Sequence, residues 1–213
     1  MIEFQNVSLS YPGAKLFENF SFRVGRGEQA TLVGPSGSGK SSLFRLILGL
    51  ERPDSGRILV NETALSPDTR LEVRRKIAWA PQNFSQTNGE TGLEAVRDIF
   101  QLRCNANISP SENEITETRK ALLLEDGVLE RKLQDLSGGQ KQRLSILFAL
   151  LLKRPILLLD EFTSSLDSRT RARVMDLILE RNDLTVLAAS HDEHWIKRSD
   201  YVLTMPRREG EGD

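Results

Sequence analysis

Gly34-Pro35-Ser36-Gly37-Ser38-Gly39-Lys40-Ser41 lies between an apolar stretch, residues 28–33, and a helix-patterned stretch from Lys40 to Leu50. Three glycines at that junction commit the chain to a strand, loop, helix unit, because they let the backbone curl until its amides converge on an anion. The octet is a full match to the P-loop pattern. Gly34, Gly37 and Gly39 wrap a β-phosphate, Lys40 reaches β- and γ-oxygens as a compact charge, and the Ser41 hydroxyl is a Mg²⁺ ligand. A glycine-rich surface turn would share the letters but not the placement between a strand and a helix.

The rest of the chain extends the unit into an α/β fold. Residues 2 to 9 and 20 to 24 alternate as half-buried strands turned at Pro12-Gly13, an antiparallel pair. The helix from Lys40 carries an apolar face at Leu43, Leu46, Ile47 and Leu50, followed by a turn over Pro53 to Gly56 and a strand from Arg57 to Val60. A short helix, Asp68 to Lys76, leads to the strand Ile77 to Ala80, which ends at Pro81-Gln82. From about Asn83 to Gln134 the chain is polar, with helical patterning near Leu93 to Leu102 and Glu112 to Leu124 and no strand, and reads as an inserted helical subdomain. An apolar-periodic helix to about Leu152, the β-run Ile156 to Asp160, a helix from Ser168 to Arg181, the strand Leu184 to Ala189 and a last helix and strand complete the pattern. Alternating strands and helices imply a mostly parallel sheet with right-handed crossovers. The expected domain is single, 1–213, with 1–82 and 136–213 as core and 83–135 as helical subdomain. The charged, glycine-containing end from Arg207 to Asp213 is expected to fray.

Composition narrows the partners. At 213 residues and 38% hydrophobic the chain can bury a core, and 29 basic against 30 acidic residues leave no global field toward nucleic acid or anionic lipid. A single cysteine, Cys104, forms no internal disulfide and suits a reducing compartment, as a small partly buried hydrophobe or as a reactive thiol. The amino terminus is strand-like, Ile2-Glu3-Phe4-Gln5-Asn6-Val7, so no secretion signal is expected there. The longest apolar runs, Ile146 to Leu152 and Ile156 to Leu159, are broken by Lys153, Arg154 and Pro155 and are too short to span a bilayer.

Two further motifs carry chemistry. Leu157-Leu158-Leu159-Asp160-Glu161 is an apolar strand ending in two acids at the carboxyl edge of the sheet, where open α/β folds bind ligands. Asp160 would hold Mg²⁺ through its water shell and Glu161 would polarise an attacking water; the alternative is an acid pair that merely ends a strand at solvent. Leu136-Ser137-Gly138-Gly139-Gln140 places two bare glycines at a helix entrance, where unpaired amides and the dipole favour a second phosphate; the alternative is a turn that only starts the helix.

With these motifs in this order, nearly the whole chain resembles the nucleotide-binding subunit of an ATP-binding cassette (ABC) transporter. The order runs from the P-loop through a glutamine loop at Gln82, the signature at Leu136 to Gln140, the acids Asp160 and Glu161, and Ser164-Ser165-Leu166-Asp167, to His191. The resemblance implies a P-loop NTPase fold, ATP and Mg²⁺, and two subunits packed head to tail, either two copies or this chain with a paralogue. Ser137, Gly138, Gly139 and Gln140 of one subunit would close over ATP held by Gly34, Pro35, Ser36, Gly37, Ser38, Gly39, Lys40, Ser41 and Ser42 of the other. It places Tyr11 where an aromatic stacks on adenine, although an ordinary strand-end tyrosine reads the same way. It also places the Gln82 amide at Mg²⁺ or the lytic water, His191 at the γ-phosphate and Glu161, and Asp167 at the partner P-loop. His191 also reads as a helix cap or surface group, and Asp167 or Ser168 as a helix N-cap; His194 carries no motif and reads as structural or solvated. Lys40, Gln82, Glu161 and His191 form the implied catalytic set. Phe162 stands where the family has proline and is expected to add an apolar group near the dimer seam.

The implied function is an ATPase subunit at the cytoplasmic face of the membrane, docked on a separate integral-membrane permease, with no nucleic acid and no membrane insertion of its own. A soluble cassette ATPase of repair, translation or cofactor assembly would call for a coiled coil, a duplicated cassette or a basic stripe, and none is seen. A P-loop kinase or GTPase would lack the signature, and a GTPase would carry Asn-Lys-x-Asp.

Overall fold

The computed structural model describes residues 1–82, 84 and 90–205. The expected frayed end, Arg207 to Asp213, lies outside the described residues, as does Asn83 at the start of the insert.

Strands β1 (Ile2–Tyr11) and β2 (Ala14–Val24) form the antiparallel hairpin, with Gly13 in the left-handed region at its turn. Apolar residues in β1 fall at Ile2, Phe4, Val7 and Leu9, so their phase flips after Phe4. A β-bulge accounts for the flip: the register with β2 shifts between Phe4 and Val7, and Asn6 has φ 49°. β1 pairs on its other side with β4 (Ser55–Val60), which pairs with the two-residue β5 (Thr63–Ala64), giving a four-stranded antiparallel sheet, β2-β1-β4-β5.

The second sheet has five strands in the order β6-β7-β8-β3-β9: β3 (Gln29–Val33), β6 (Ile77–Ala80), β7 (Ile156–Asp160), β8 (Thr185–Ala189) and β9 (Tyr201–Thr204), all parallel. Every residue of β7 and β8 is buried, as their continuous apolar runs require of strands covered on both faces. Leu157 and Leu159 join one core with helices α5 (Gly138–Leu151) and α6 (Ser168–Leu179); Ile156 and Leu158 join the other, with α1 (Lys40–Ile47) and the antiparallel sheet. The two-residue side-chain period of β7 thus stitches two cores across one layer.

The short helix α2 is Arg70–Arg74. The helical insert contains α3 (Gly92–Gln101) and α4 (Glu112–Ala121), each opened by a capping box, at Thr91/Glu94 and Ser111/Glu114. Its neck is closed by a Thr91–Lys132 bridge and the bond from Leu93 N to Leu129 O at 2.8 Å. Ala95, Val96, Leu122 and Leu129 of the insert share a core with α5. That packing corrects the expectation of a one-sided periodic helix before Leu152: Leu144 through Leu151 are all buried, because α5 is held between the insert and the parallel sheet. The last helix, α7 (Glu193–Arg198), is capped by Asp192.

Candidate active site

Four neighbouring strands of the parallel sheet, β6-β7-β8-β3, deliver the sequence-identified residues to one edge. Gln82 follows β6, Asp160 and Glu161 end β7, His191 follows β8, and the glycine loop follows β3. They line one cavity of about 470 Å³ with Tyr11, Ser36, Gly37, Gly39, Lys40, Ser41 and Ser42. Residues 109 to 151 positions apart in sequence, such as Gln82 and His191, or Lys40 and His191, meet because parallel strands all end at the same side.

The glycine loop folds as its letters require. Gly39 has φ 94°, and a Cβ there would come within 2.9 Å of the Phe17 ring, so only glycine fits. Lys40 is buried, and its ammonium donates to Gly34 O at 2.7 Å and Pro35 O at 3.1 Å. It also stands 3.8 Å from Glu161 Oε1 and 3.4 Å from His191 Nε2, which is itself 3.4 Å from the same carboxylate oxygen. A cation, a carboxylate and an imidazole are therefore gathered at one point.

The Ser41 hydroxyl donates to Asp160 Oδ2 at 2.9 Å. Burial raises the Asp160 carboxyl above its ordinary value; the Ser41 bond and the charges of Lys40 and Arg45 oppose that shift. Glu161 has φ 48°, a conformation L side chains rarely adopt, and is fixed there by the bond from its N–H to Ala189 O at 2.9 Å. Backbone strain of this kind persists where the surroundings over-determine it, as they do at this acid. Tyr11 is tied at its phenol, which donates to Glu51 Oε1 at 2.7 Å and lies 3.2 Å from Ser42 Oγ, leaving the ring at the cavity rim.

The signature stands elsewhere. Ser137 caps α5, its hydroxyl accepting from Gln140 N at 3.2 Å while Gln140 Oε1 accepts from Ser137 N at 2.9 Å. Ser137 and Gly138 are exposed and Gln140 is buried, its amide also donating to Glu125. None of the four is among the residues that line the glycine-loop cavity. Asp167 caps α6, accepting from Thr170 N at 3.0 Å, so the cap is Asp167 and not Ser168; its bonds to Thr170 hold its carboxyl below the usual range.

The family model for the ABC transporter matches residues 17–164. This chain belongs to the ABC transporter family. The cassette is a transporter ATPase, and it is similar to the energy-coupling factor transporter ATP-binding protein EcfA1 of Oenococcus oeni, with 36% identity over 212 residues, covering 96% of this chain and 76% of that one. It is 34% identical to a putative export ATP-binding/permease protein of Rickettsia felis, over 97% of the cassette but only 37% of that longer protein. Among solved structures, the dimeric post-hydrolysis state of the ATP-binding cassette MJ0796 with ADP and Pi superposes at TM-score 0.86, with 29% identity and 98% of each chain covered.

Phe162 is 0% exposed and packs edge-on against Trp195, ring centroids 4.8 Å apart. His194 is exposed and offers its backbone N–H to the Asp192 cap. Sequence reasoning missed Leu16, which lines the cavity, and Glu51, which orients Tyr11. Leu16 was hidden because β2 starts well before the residue-20 boundary that alternation suggested; Glu51 sits in a turn with no motif to mark it.

Proposed function

We propose that the cassette binds ATP in the glycine-loop cavity and hydrolyses it efficiently only when a second nucleotide-binding subunit supplies a signature. The observation that carries this reading is the separation of its two anion cradles: the exposed Ser137-Gly138 end of α5 does not line the cavity that holds Lys40. A Cβ on Gly138 would meet only ordinary contacts, 3.6 Å to Ser165 Oγ, so nothing within the chain requires glycine there. A phosphate arriving from another subunit does.

Within the cavity, Lys40 and the loop amides hold the β- and γ-phosphates and Tyr11 receives the adenine. Glu161 orients and polarises the attacking water, and His191 and Lys40 hold its carboxylate in place. Asp167 faces the partner subunit's P-loop. Ser41, Asp160 and Gln82 offer a hydroxyl, a carboxylate and an amide oxygen, the set a hard cation such as Mg²⁺ takes, and the existing Ser41–Asp160 bond brings two of them together. When bound, Mg²⁺ neutralises charge on the transferring phosphoryl group.

The cassette is read as a core of residues 1–82 and 136–213 with a helical subdomain at 83–135. No helix among the described residues is long and apolar enough to cross a membrane. The proposed reading assigns the transport path to a separate integral-membrane permease, with the cassette peripheral on the cytoplasmic face. The apolar groove between core and helical subdomain, walled by Leu48, Trp79, Phe84, Ile99 and the exposed Leu102, is a fitting seat for that permease. The test is sizing of Glu161→Gln with and without ATP, joined to affinity purification from native membranes. An ATP-dependent dimer and a co-purifying permease are expected; a chain that stays monomeric with ATP, or purifies only with soluble partners, refutes the reading.

A further inference from the structure

His191 is fixed by little that touches its ring. The side chain is 58% exposed, and its Nε2 stands 3.4 Å from both Glu161 Oε1 and Lys40 Nζ, distances at which a hydrogen bond aligns a ring only weakly. Its place at Glu161 is therefore set by the backbone on either side. Ser190 on one side is buried, and its hydroxyl accepts from Asp192 N at 3.1 Å. Asp192 on the other side carries a carboxylate that is only 5% exposed and engaged at both oxygens. Oδ1 accepts from His194 N at 2.9 Å and Trp195 N at 3.1 Å, and Oδ2 accepts from Arg171 Nη1 at 3.1 Å.

Arg171 reaches that carboxylate from another element. It lies on α6, its N–H bonded to Asp167 O at 2.8 Å, and its Nη2 donates to Leu166 O at 3.0 Å. The turn that contains Leu166 starts at Glu161, whose carbonyl accepts from Ser164 N at 3.2 Å and from Ser164 Oγ at 2.9 Å. One guanidinium thus joins the loop that carries His191 to the turn that runs from Glu161 to Asp167. A planar fork suits two acceptors on separate elements, and an ammonium does not reproduce it. The Asp192 end of the fork is shielded from water, so the charge pair there is screened less than a surface pair.

We propose that Arg171 is a positioning residue for hydrolysis: through Asp192 it fixes His191 against Glu161, and through Leu166 it makes that placement depend on the turn leading to Asp167. The proposal rests on the ATPase reading of Glu161 and His191. Neither Arg171 nor Asp192 is among the residues that line the glycine-loop cavity, so loss of the fork should leave ATP binding intact. What it changes is geometry, and a displacement of about 1 Å can cost on the order of a hundredfold in rate. An arginine that merely stapled α6 to α7 would cost stability and leave turnover of the folded chain alone.

The test follows hydrolysis in single turnovers with labelled ATP on the concentrated full chain, alongside equilibrium ATP binding and thermal melts. Arg171→Ala should lower the rate by about ten- to a hundredfold while ATP affinity stays within about twofold. Arg171→Lys, which keeps the charge at Asp192 without the fork, should recover part of that loss. Asp192→Asn keeps an oxygen to cap α7 but removes the charge that faces the guanidinium, and should lose rate in the same sense while the fold persists. The deciding measurement pairs Arg171→Ala with His191→Ala. A residue that acts through His191 should change the rate of the His191→Ala chain by less than about twofold. Losses that multiply, a loss of ATP affinity at unchanged rate, or full turnover in a folded Arg171→Ala chain overturns the proposal. Full turnover in His191→Ala would instead overturn the role of His191 itself, and the proposal with it.

Discussion

The two adjacent glycines of the signature should separate cleanly under alanine substitution. A Cβ on Gly139 would stand 2.6 Å from Ser165 O, closer than any real contact, and the obstacle is backbone rather than a side-chain tip. That backbone cannot give cheaply: Leu166 N bonds Thr163 O at 3.2 Å, Arg171 holds Leu166 O at 3.0 Å, and Asp167 caps α6. Overpacking of this kind costs roughly 1–3 kcal/mol. At about 2–4 °C per kcal/mol for a domain of this size, Gly139→Ala should lower the melting temperature by roughly 2–12 °C. Gly138→Ala meets nothing closer than 3.6 Å and gains helix propensity, at most ~1 kcal/mol, so its melting temperature should hold or rise. Calorimetry of the two variants without nucleotide reads the fold; sizing with ATP in a Glu161→Gln background reads the assembly. Gly138→Ala should weaken ATP-driven pairing by about tenfold, ~1.4 kcal/mol, because the methyl keeps a partner's phosphate off the helix amides. Equal loss of stability in both variants, or unchanged pairing in Gly138→Ala, would refute the division of labour between them.

Glu161→Gln should keep ATP binding and lose turnover by about a hundredfold or more, and phosphate release at wild-type rate would remove Glu161 from the base role. Asp160→Asn should abolish turnover yet stabilise the nucleotide-free chain at neutral pH. Burial raises the folded carboxyl, so between its ordinary and raised values the native state binds the proton more tightly and stability falls as pH rises. The Asn variant should flatten that slope in melts taken across the acid range, and an unchanged slope would count against burial as its cause. Phe162→Ala removes a 0%-exposed ring from Trp195 and should cost about 3–5 kcal/mol by denaturant titration; a loss under 1 kcal/mol would put the ring outside the core.

Much of the fold was legible because its signals are local. Ile77–Ala80 and Ile156–Asp160 are strands over the residues their apolar runs delimit, and the glycine loop announces the strand before it and the helix after it. The signals that failed are those that depend on neighbours. The one-sided face expected for α5 vanished because two layers cover it, and the true start of β2 was masked because its early residues owe their strand geometry to pairing with β1.

The sequence by itself determined the chemistry available: a phosphate loop, an oxygen-donor pair in Ser41 and Asp160, a polarising acid, and a second bare helix end. Only the tertiary structure decided how these are shared. Parallel strands ending on one side bring Gln82, Asp160, Glu161 and His191 around Lys40, whereas the Ser137-Gly138 end does not line that cavity and, on the proposed reading, serves the nucleotide of another subunit. The two glycines look equivalent as letters. They differ because Ser165, 26 residues from Gly139 along the chain, lays its carbonyl against one and leaves the other open.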